Sequence, residues 1–430
     1  MRIAVWHNLP SGGGKRALYD HVRGLVARGH HVEAWCPASA DTAFLPLSEL
    51  CSEHVLPWTC SRSNPLLIPS IRRDSLDQYA RIQAIDDHCR RAAAAINSGG
   101  FDVLLANTCQ VTASPFIGRY STIPTCLYLQ EPYRMLYEAW PDPPFAALPP
   151  PGRSVFAPWY LRQRLADYFR TAVRRFQIRA EHENAKSFSR ILVNSYFSRE
   201  SVWRAYGLNS SVCYLGVDVE RYSPDGVAPL RENAVVGIGA YGKHKNIEFV
   251  IRAVGKVSPP RPDLIWIGNS IESDELERLR SIATVCGVTF RPHVRIPDAE
   301  VAALLRRPFA MVYAPRLEPF GYAPIEANAA GLPVIAVAEG GVRETIRDGE
   351  NGLLVDATPA AMAAGIELLR DDPALARKLG VTGRDTLRDK WSLTTATDRL
   401  ETYLSEMAGV PAESETVSCV KLVQRIRPLC

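Results

Sequence analysis

The 430-residue chain is longer than one compact hydrophobic core organises, so two domains are expected. Hydrophobic residues at 47% and charged residues at 22% give the balance of an ordinary globular protein. A mild net charge of +4 does not by itself point to nucleic acid, and none is expected as a partner; no apolar stretch approaches the ~18 residues of a membrane span. The ten cysteines form no C-x-x-C pair, and no His cluster stands at metal-ligand spacing. Met1–Trp6 is too short an apolar run for a signal peptide, so a reducing, cytoplasmic compartment is expected.

In chain order, Arg2–Trp6 reads as a buried strand and Ser11–Gly14 as a Gly-rich turn. Arg16–Arg28 places Leu18, Val22, Leu25 and Val26 on one helical face, and Gly29 stops it. His31–Cys36, Val103–Ala106 and Thr125–Leu129 read as further strands. Pro141–Pro158 is too rich in proline for a helix interior or a central strand. It reads as a surface loop or as a flap over an acceptor site. Leu161–Lys186 follows as a basic helix with Arg162, Arg164, Arg170, Arg174, Arg175 and Arg179. Leu161, Leu165, Tyr168, Phe169, Val173, Phe176 and Ile178 supply its apolar face. Such a helix either lies on an anionic membrane surface or packs inward with a solvated basic side.

Gly, Asp and Pro gather at Leu215–Pro224, the expected interdomain link. The second half repeats the pattern: strands at Ala234–Ile238, Leu264–Ile267, Phe309–Tyr313, Pro333–Val337 and Leu353–Val355, with helices at Ile247–Val257 and Ser273–Cys286. This repeated βαβ succession predicts an α/β protein with two doubly wound, Rossmann-like domains. The order of the tail after Met407 is left open by its mixed polarity.

The most informative run is Ala314–Val337, APRLEPFGYAPIEANAAGLPVIAV. A helix over Gly321–Ala330 should join the two flanking strands. Its first turn presents free backbone N–H groups and partial positive charge, which suits an anion such as a diphosphate. Gly321 allows close approach of that backbone. Glu318 lies before the helix and Glu326 on it, and ionised carboxylates there suit hydroxyl-rich groups on either side of a diphosphate.

This run resembles the E-x7-E motif of retaining GT-B glycosyltransferases of family 4, of mannosyltransferase-like type. The string E-P-F-G, E-A-x-A-x-G-x-P-V-I, Gly340-Gly341, Glu344 and D-G-E-N-G-L-L-V at Asp348–Val355 carries the match. The resemblance implies a GT-B fold: an acceptor-binding domain over residues 1–217, a nucleotide-sugar-binding domain over 218–390, and 391–430 crossing back to the first domain near Trp391. It implies that Glu318 contacts the donor sugar, Glu326 the ribose hydroxyls, and the backbone at Phe320-Gly321 the phosphates, with Tyr322 beside them. Lys245, in G-I-G-A-Y-G-K-H-K-N-I, falls on the family's lysine and would neutralise the leaving diphosphate. The Gly12-Gly13-Gly14 run matches the family's G-G loop, placing Gly13 and Gly14 at the donor phosphates.

Three positions depart from the family pattern. Ala240 stands where many members carry Arg, leaving Lys243 or Arg316 to supply the charge. Gln130 stands where a His is common at a strand end, and Asn107 likewise. Gln130, Glu131, Arg134 and His7 are the candidate acceptor contacts, alongside Tyr133 in the same segment. The expected reaction moves a hexose from GDP-mannose or a UDP-sugar to a glycan, lipid-linked or polysaccharide-precursor acceptor. Neither cofactor nor metal is expected, there being no D-x-D motif, and peripheral contact with the cytoplasmic membrane face is the one membrane role left open. The rivals are a catalytically weakened sugar-nucleotide-binding scaffold, another GT-B enzyme, and a dinucleotide oxidoreductase, which lacks its G-x-G-x-x-G here.

Overall fold

The computed structural model describes residues 1–58, 60, 70–138, 156, 158–222, 231–269, 271 and 274–409. Most of the Pro-rich segment 141–158, the far end of the link at 223–230 and the tail from 410 lie outside the described residues. The first half builds a parallel sheet from β1 (Arg2–Asn8), β2 (His31–Pro37), β3 (Ser52–Leu56), β4 (Val103–Cys109), β5 (Thr125–Tyr128), β6 (Arg190–Val193) and β7 (Ser211–Val212). Their order is β3-β2-β1-β4-β5-β6-β7. The second half builds another from β8 (Glu232–Ile238), β9 (Asp263–Gly268), β10 (Phe290–Val294), β11 (Pro308–Tyr313), β12 (Val334–Val337) and β13 (Gly352–Val355), in the order β10-β9-β8-β11-β12-β13. All pairings are parallel, and the order reverses beside β1 in one sheet and beside β8 in the other. Ligands of such sheets bind outside the carboxyl ends of the strands at these reversals.

The central strands are buried on both faces, which is why they read as continuous apolar runs rather than alternations. Ile3 and Val5 pack with Leu18 and Leu25 of the Gly13–Ala27 helix, while Ala4 and Trp6 face Ile82, Ile85 and Ile96 of the Ser70–Ser98 helix. The first of these clusters runs unbroken into the second half, through Leu215, Val217, Tyr222, Phe320 and Trp391. Trp391 is 2% exposed and stacks edge-on against Tyr214 and Phe320, at 4.8 and 5.5 Å between centroids. Beyond it, the Leu393–Ala408 helix lies against the Gly13–Ala27 helix. His30 Nε2 stands 2.8 Å from a Glu401 oxygen, and Arg28 pairs with Glu401 as well.

Two expectations change. The first helix begins at Gly13 rather than at Arg16, so Gly13 and Gly14 form its first turn instead of a preceding loop. The basic helix runs from Pro158 to Lys186, but only part of its apolar face turns inward, with Val173 packed against the core. Leu161, Leu165, Tyr168 and Phe176 are exposed, whereas Asp167, Gln177, Glu181 and Asn184 are buried. The inversion has a physical cause. Gln177 donates to the Val111 carbonyl at 2.9 Å, Asn184 to that of Ser114 at 2.8 Å, and Glu181 accepts from the Ala113 N–H at 3.3 Å. The loop after β4 has backbone groups that need partners, and this helix supplies them.

Candidate functional site

A cleft of about 330 Å³ opens between the carboxyl ends of the two sheets. Gly12, Gly13 and Arg16 line it from the first half; Gly239, Lys245, Asn269, Tyr313, Glu318, Tyr322 and Glu326 line it from the second. The helix carrying Glu326 spans Tyr322–Ala329 and begins directly after Gly321, whose φ of 88° is a conformation that favours glycine. That residue turns the E-P-F segment sharply enough to aim the helix N-terminus into the cleft. Gly341 holds the same segment from behind. Its N–H donates to the Glu318 carbonyl at 2.9 Å, and a Cβ there would lie 2.0 Å from the Pro319 oxygen.

Lys245 and Glu318 face each other across the cleft floor, with Lys245 Nζ donating at 3.0 and 2.8 Å to the two carboxylate oxygens. Burial pushes the Glu318 pKa up, but the Lys245 ammonium and, behind it, Arg134 outweigh burial and leave it below the usual carboxylate value. Glu326 is 7% exposed and has the opposite balance. Burial raises its pKa, with Arg16 and a 2.8 Å hydrogen bond from the Tyr222 hydroxyl only partly offsetting that. Tyr322 Oη sits 2.8 Å from Asp20 Oδ2 and 2.7 Å from the Gly216 carbonyl, tying the start of this helix to the first half. Phe320 is buried with its ring in the aromatic cluster around Trp391, and neither it nor Gly321 is among the residues that line the cleft; Tyr322 and Ala323 are.

The remaining sequence-derived candidates divide. Gly14 is not on the cleft wall, but a Cβ on it would lie 3.0 Å from the Gln130 amide, so the two are neighbours. Arg134 is engaged with protein partners. It pairs with Glu131 at 2.6 Å and donates to the carbonyls of Arg316 and Leu317 at 3.1 and 2.7 Å, bracing the Glu318 loop from the opposite domain. Arg316 pairs with Glu339 at 3.0 Å and Lys243 is exposed; neither is among the residues that line the cleft. His7 is fully buried and also outside the lining, with Nε2 3.4 Å from Glu53. Ligand-type atoms of His7, Cys36 and Glu53 lie within 4.8 Å of one another, a grouping that sequence spacing does not show. The Lys15 ammonium lies 3.9 Å from the same Glu53.

Sequence reasoning missed Arg16, Tyr222, His244 and Asp298. Arg16 grips both Asp298 oxygens at 3.1 and 2.8 Å and lies 3.6 Å from Glu326. The partners are 282 residues apart, and no local pattern announces them.

Two parallel α/β sheets closing on a cleft with paired glutamates define a GT-B architecture. Sucrose-phosphate synthase from Thermosynechococcus elongatus superposes with a TM-score of 0.71 at 18% identity, over 95% of this chain and 100% of that one. Anabaena HepE in complex with UDP-glucose superposes at 0.68, also at 18% identity, over 94% and 100%. The chain belongs to the family 4, group 1 glycosyltransferases. Residues 11–221 match the model described as Glycosyltransferase Family 4, and residues 218–386 match Glycosyl transferases group 1. Among curated relatives, the GDP-mannose-dependent alpha-(1-6)-phosphatidylinositol monomannoside mannosyltransferase of Mycolicibacterium smegmatis is 29% identical over 231 residues, 49% of this chain and 60% of its own. The alpha-1,3/1,6-mannosyltransferase ALG2 of Rhizomucor pusillus is 33% identical over 129 residues, 30% and 28%. The chain thus spans less than two thirds of the length of either relative.

Proposed function

We propose that this protein transfers a hexosyl group, with retention, from a nucleotide sugar to a hydroxyl of a glycan, polysaccharide-precursor or lipid-linked acceptor. The observation that carries the reading is the Lys245–Glu318 pair beside the N-terminus of the Tyr322–Ala329 helix, with Glu326 further along the same cleft. A diphosphate on that N-terminus meets unpaired N–H groups and the Lys245 ammonium. Glu318 then accepts from donor-sugar hydroxyls, and Glu326 from the ribose.

As the anomeric C–O bond breaks, positive charge develops on the sugar and negative charge on the departing phosphate. Lys245 and the helix N–H groups are fixed before that charge appears, so they stabilise the transition state more than the ground state. The departing phosphate oxygen takes the acceptor proton as the acceptor oxygen attacks the same sugar face, so no separate base is needed. Metal is unnecessary on this account because the phosphate charge has protein partners. Contacts between the domains exclude water and limit donor hydrolysis.

The Gly14–Gln130 neighbourhood, with Glu131, forms the acceptor side. Exposed Trp159, Leu161, Leu165 and Tyr168, interspersed with arginines on the Pro158–Lys186 helix, favour a lipid-linked acceptor on an anionic, cytoplasm-facing membrane. No helix among the described residues is long and apolar enough to cross a membrane. The mannosyltransferase relatives favour GDP-mannose as donor. Thermal shift with GDP, UDP, ADP and dTDP, followed by nucleotide release from the matching sugars, tests the donor assignment. Stabilisation by GDP and release from GDP-mannose are expected. Binding without release from any sugar, with acceptors present, would establish the scaffold reading instead.

A further inference from the structure

The Gly13–Ala27 helix carries a polar stripe that spans the cleft. Arg16 reaches Asp298 and Glu326, Asp20 reaches Tyr322, and Arg23 reaches Asp218 at 2.9 Å. Residues four and three apart on a helix share a face, so one surface makes all three contacts. Arg16 differs from the other two because it lines the cleft and lies beside the carboxylate assigned to the ribose. Its side chain is 13% exposed and packs over the Phe44 ring, 5.7 Å from the centroid. Both terminal nitrogens are committed to Asp298, which Arg221 also contacts. That leaves Nε, 3.6 Å from Glu326 Oε1, as the part of the guanidinium that faces the carboxylate. The Tyr222 hydroxyl bonds the same oxygen at 2.8 Å, so Oε1 is held from two sides.

We propose that Arg16 is a positioning residue that completes the ribose subsite from the opposite domain: it fixes the Glu326 carboxylate charged and in one orientation, and the planar grip on Asp298 holds the guanidinium there. This rests on the assignment of Glu326 to the ribose and extends it. The subsite then exists in full only when the two domains are together, so ribose recognition and domain closure are one event. An arginine suits the task because its rigid fork engages two acceptors with the third nitrogen directed sideways, a geometry a lysine cannot reproduce.

The test compares GDP with 2′,3′-dideoxy-GDP, which keeps the base and diphosphate but has no ribose hydroxyls to donate. Binding is measured calorimetrically to wild type, Arg16→Gln, Arg16→Lys and Glu326→Gln, each first checked for wild-type circular dichroism. Wild type should prefer GDP by about tenfold or more, the scale of hydrogen bonds to a charged group. Arg16→Gln should lose most of that preference by weakening GDP alone, and adding it to Glu326→Gln should change nothing further. Arg16→Lys should recover only part, and it also serves as the readout if the glutamine variant fails to fold. Equal weakening of both nucleotides by Arg16→Gln would overturn the proposal, since Arg16 would then act on the diphosphate or on domain packing alone. If wild type binds neither nucleotide, nor their uridine counterparts, the donor-site reading fails, and the role of Arg16 fails with it.

Discussion

Glu318 and Glu326 stand eight residues apart and are pushed in opposite directions: Lys245 holds one carboxylate below the ordinary value, and burial lifts the other above it. On the proposed reading, nucleotide affinity follows Glu326. A carboxyl that must be ionised to accept from a ribose loses that capacity as pH falls through its pKa, and here the pKa lies above the usual 4.5. GDP affinity should therefore decline on the acid side at a higher pH than an ordinary glutamate would give. Titration calorimetry across pH checks this, and Glu326→Gln should bind weakly with no such decline. Lys245→Ala should lower turnover by about 10²–10³, the usual effect of removing one stabiliser of developing charge. It also strands the Glu318 carboxylate, so a loss confined to stability, with turnover per folded molecule unchanged, would count against the assigned role. At this scale the sequence is informative where the proposed ligand contacts lie within one segment. Glu318, Gly321 and Glu326 share a strand–loop–helix unit, and Lys245 belongs to the run after β8. Arg16 and Asp298 meet only because two domains close, which no local period encodes.

The Glu318–Gly321 turn is held by Gly341, where backbone meets backbone without room for a methyl group. Gly341→Ala should displace Pro319 and Glu318 together. Melting temperature should fall and donor turnover should drop well beyond what the loss of folded protein explains. The Pro158–Lys186 helix offers a separate, pH-dependent test. Glu181 is buried among Gln177, Tyr206 and the Ala113 N–H, and burial lifts its pKa to about 7. Because the folded value exceeds the unfolded one, its contribution is most favourable below pH 4.5 and is lost as pH rises through about 7. The scale is roughly 3 kcal/mol at most. Denaturant titrations should show Glu181→Gln losing less stability than wild type between pH 5 and 8. Central strands such as β1, β4, β9 and β11 are legible because burial on both faces gives each a continuous apolar run, Ile3–Trp6 in β1 and Val103–Ala106 in β4. The edge strands β3 and β10, SEHVL and FRPHV, are only partly buried and carry polar residues, so they offer neither a run nor an alternation. The helix after the Pro-rich segment is legible as a helix but not in its orientation, because polar residues turn inward to satisfy the loop after β4.

Across the whole molecule, one apolar cluster joins both sheets, and the chain returns to the first domain through Trp391. The Val217 N–H donates to the Trp391 carbonyl at 2.8 Å and the Leu393 N–H to that of Val217 at 3.0 Å, pinning the return to the link. Trp391→Ala should cost about 3–5 kcal/mol, read as a lower melting temperature, because it empties the aromatic cluster that also supports Phe320. The repetition of βαβ units makes two such domains legible in the sequence. Their closure is not, since it depends on the ion pairs and hydrogen bonds of Arg16, Asp20, Arg23 and Arg134 with residues far along the chain.

The most direct test of the central claim is donor turnover. Purified protein is given GDP-, UDP-, ADP- and dTDP-sugars with a panel of glycan and lipid-linked acceptors, and both nucleotide release and the anomeric configuration of the product are followed by proton NMR. The account predicts release from one donor, GDP-mannose, into a product that keeps the donor's configuration, with both signals lost in Lys245→Ala and Glu326→Ala. Inverted product, or release that persists at the wild-type rate in both variants, would contradict it.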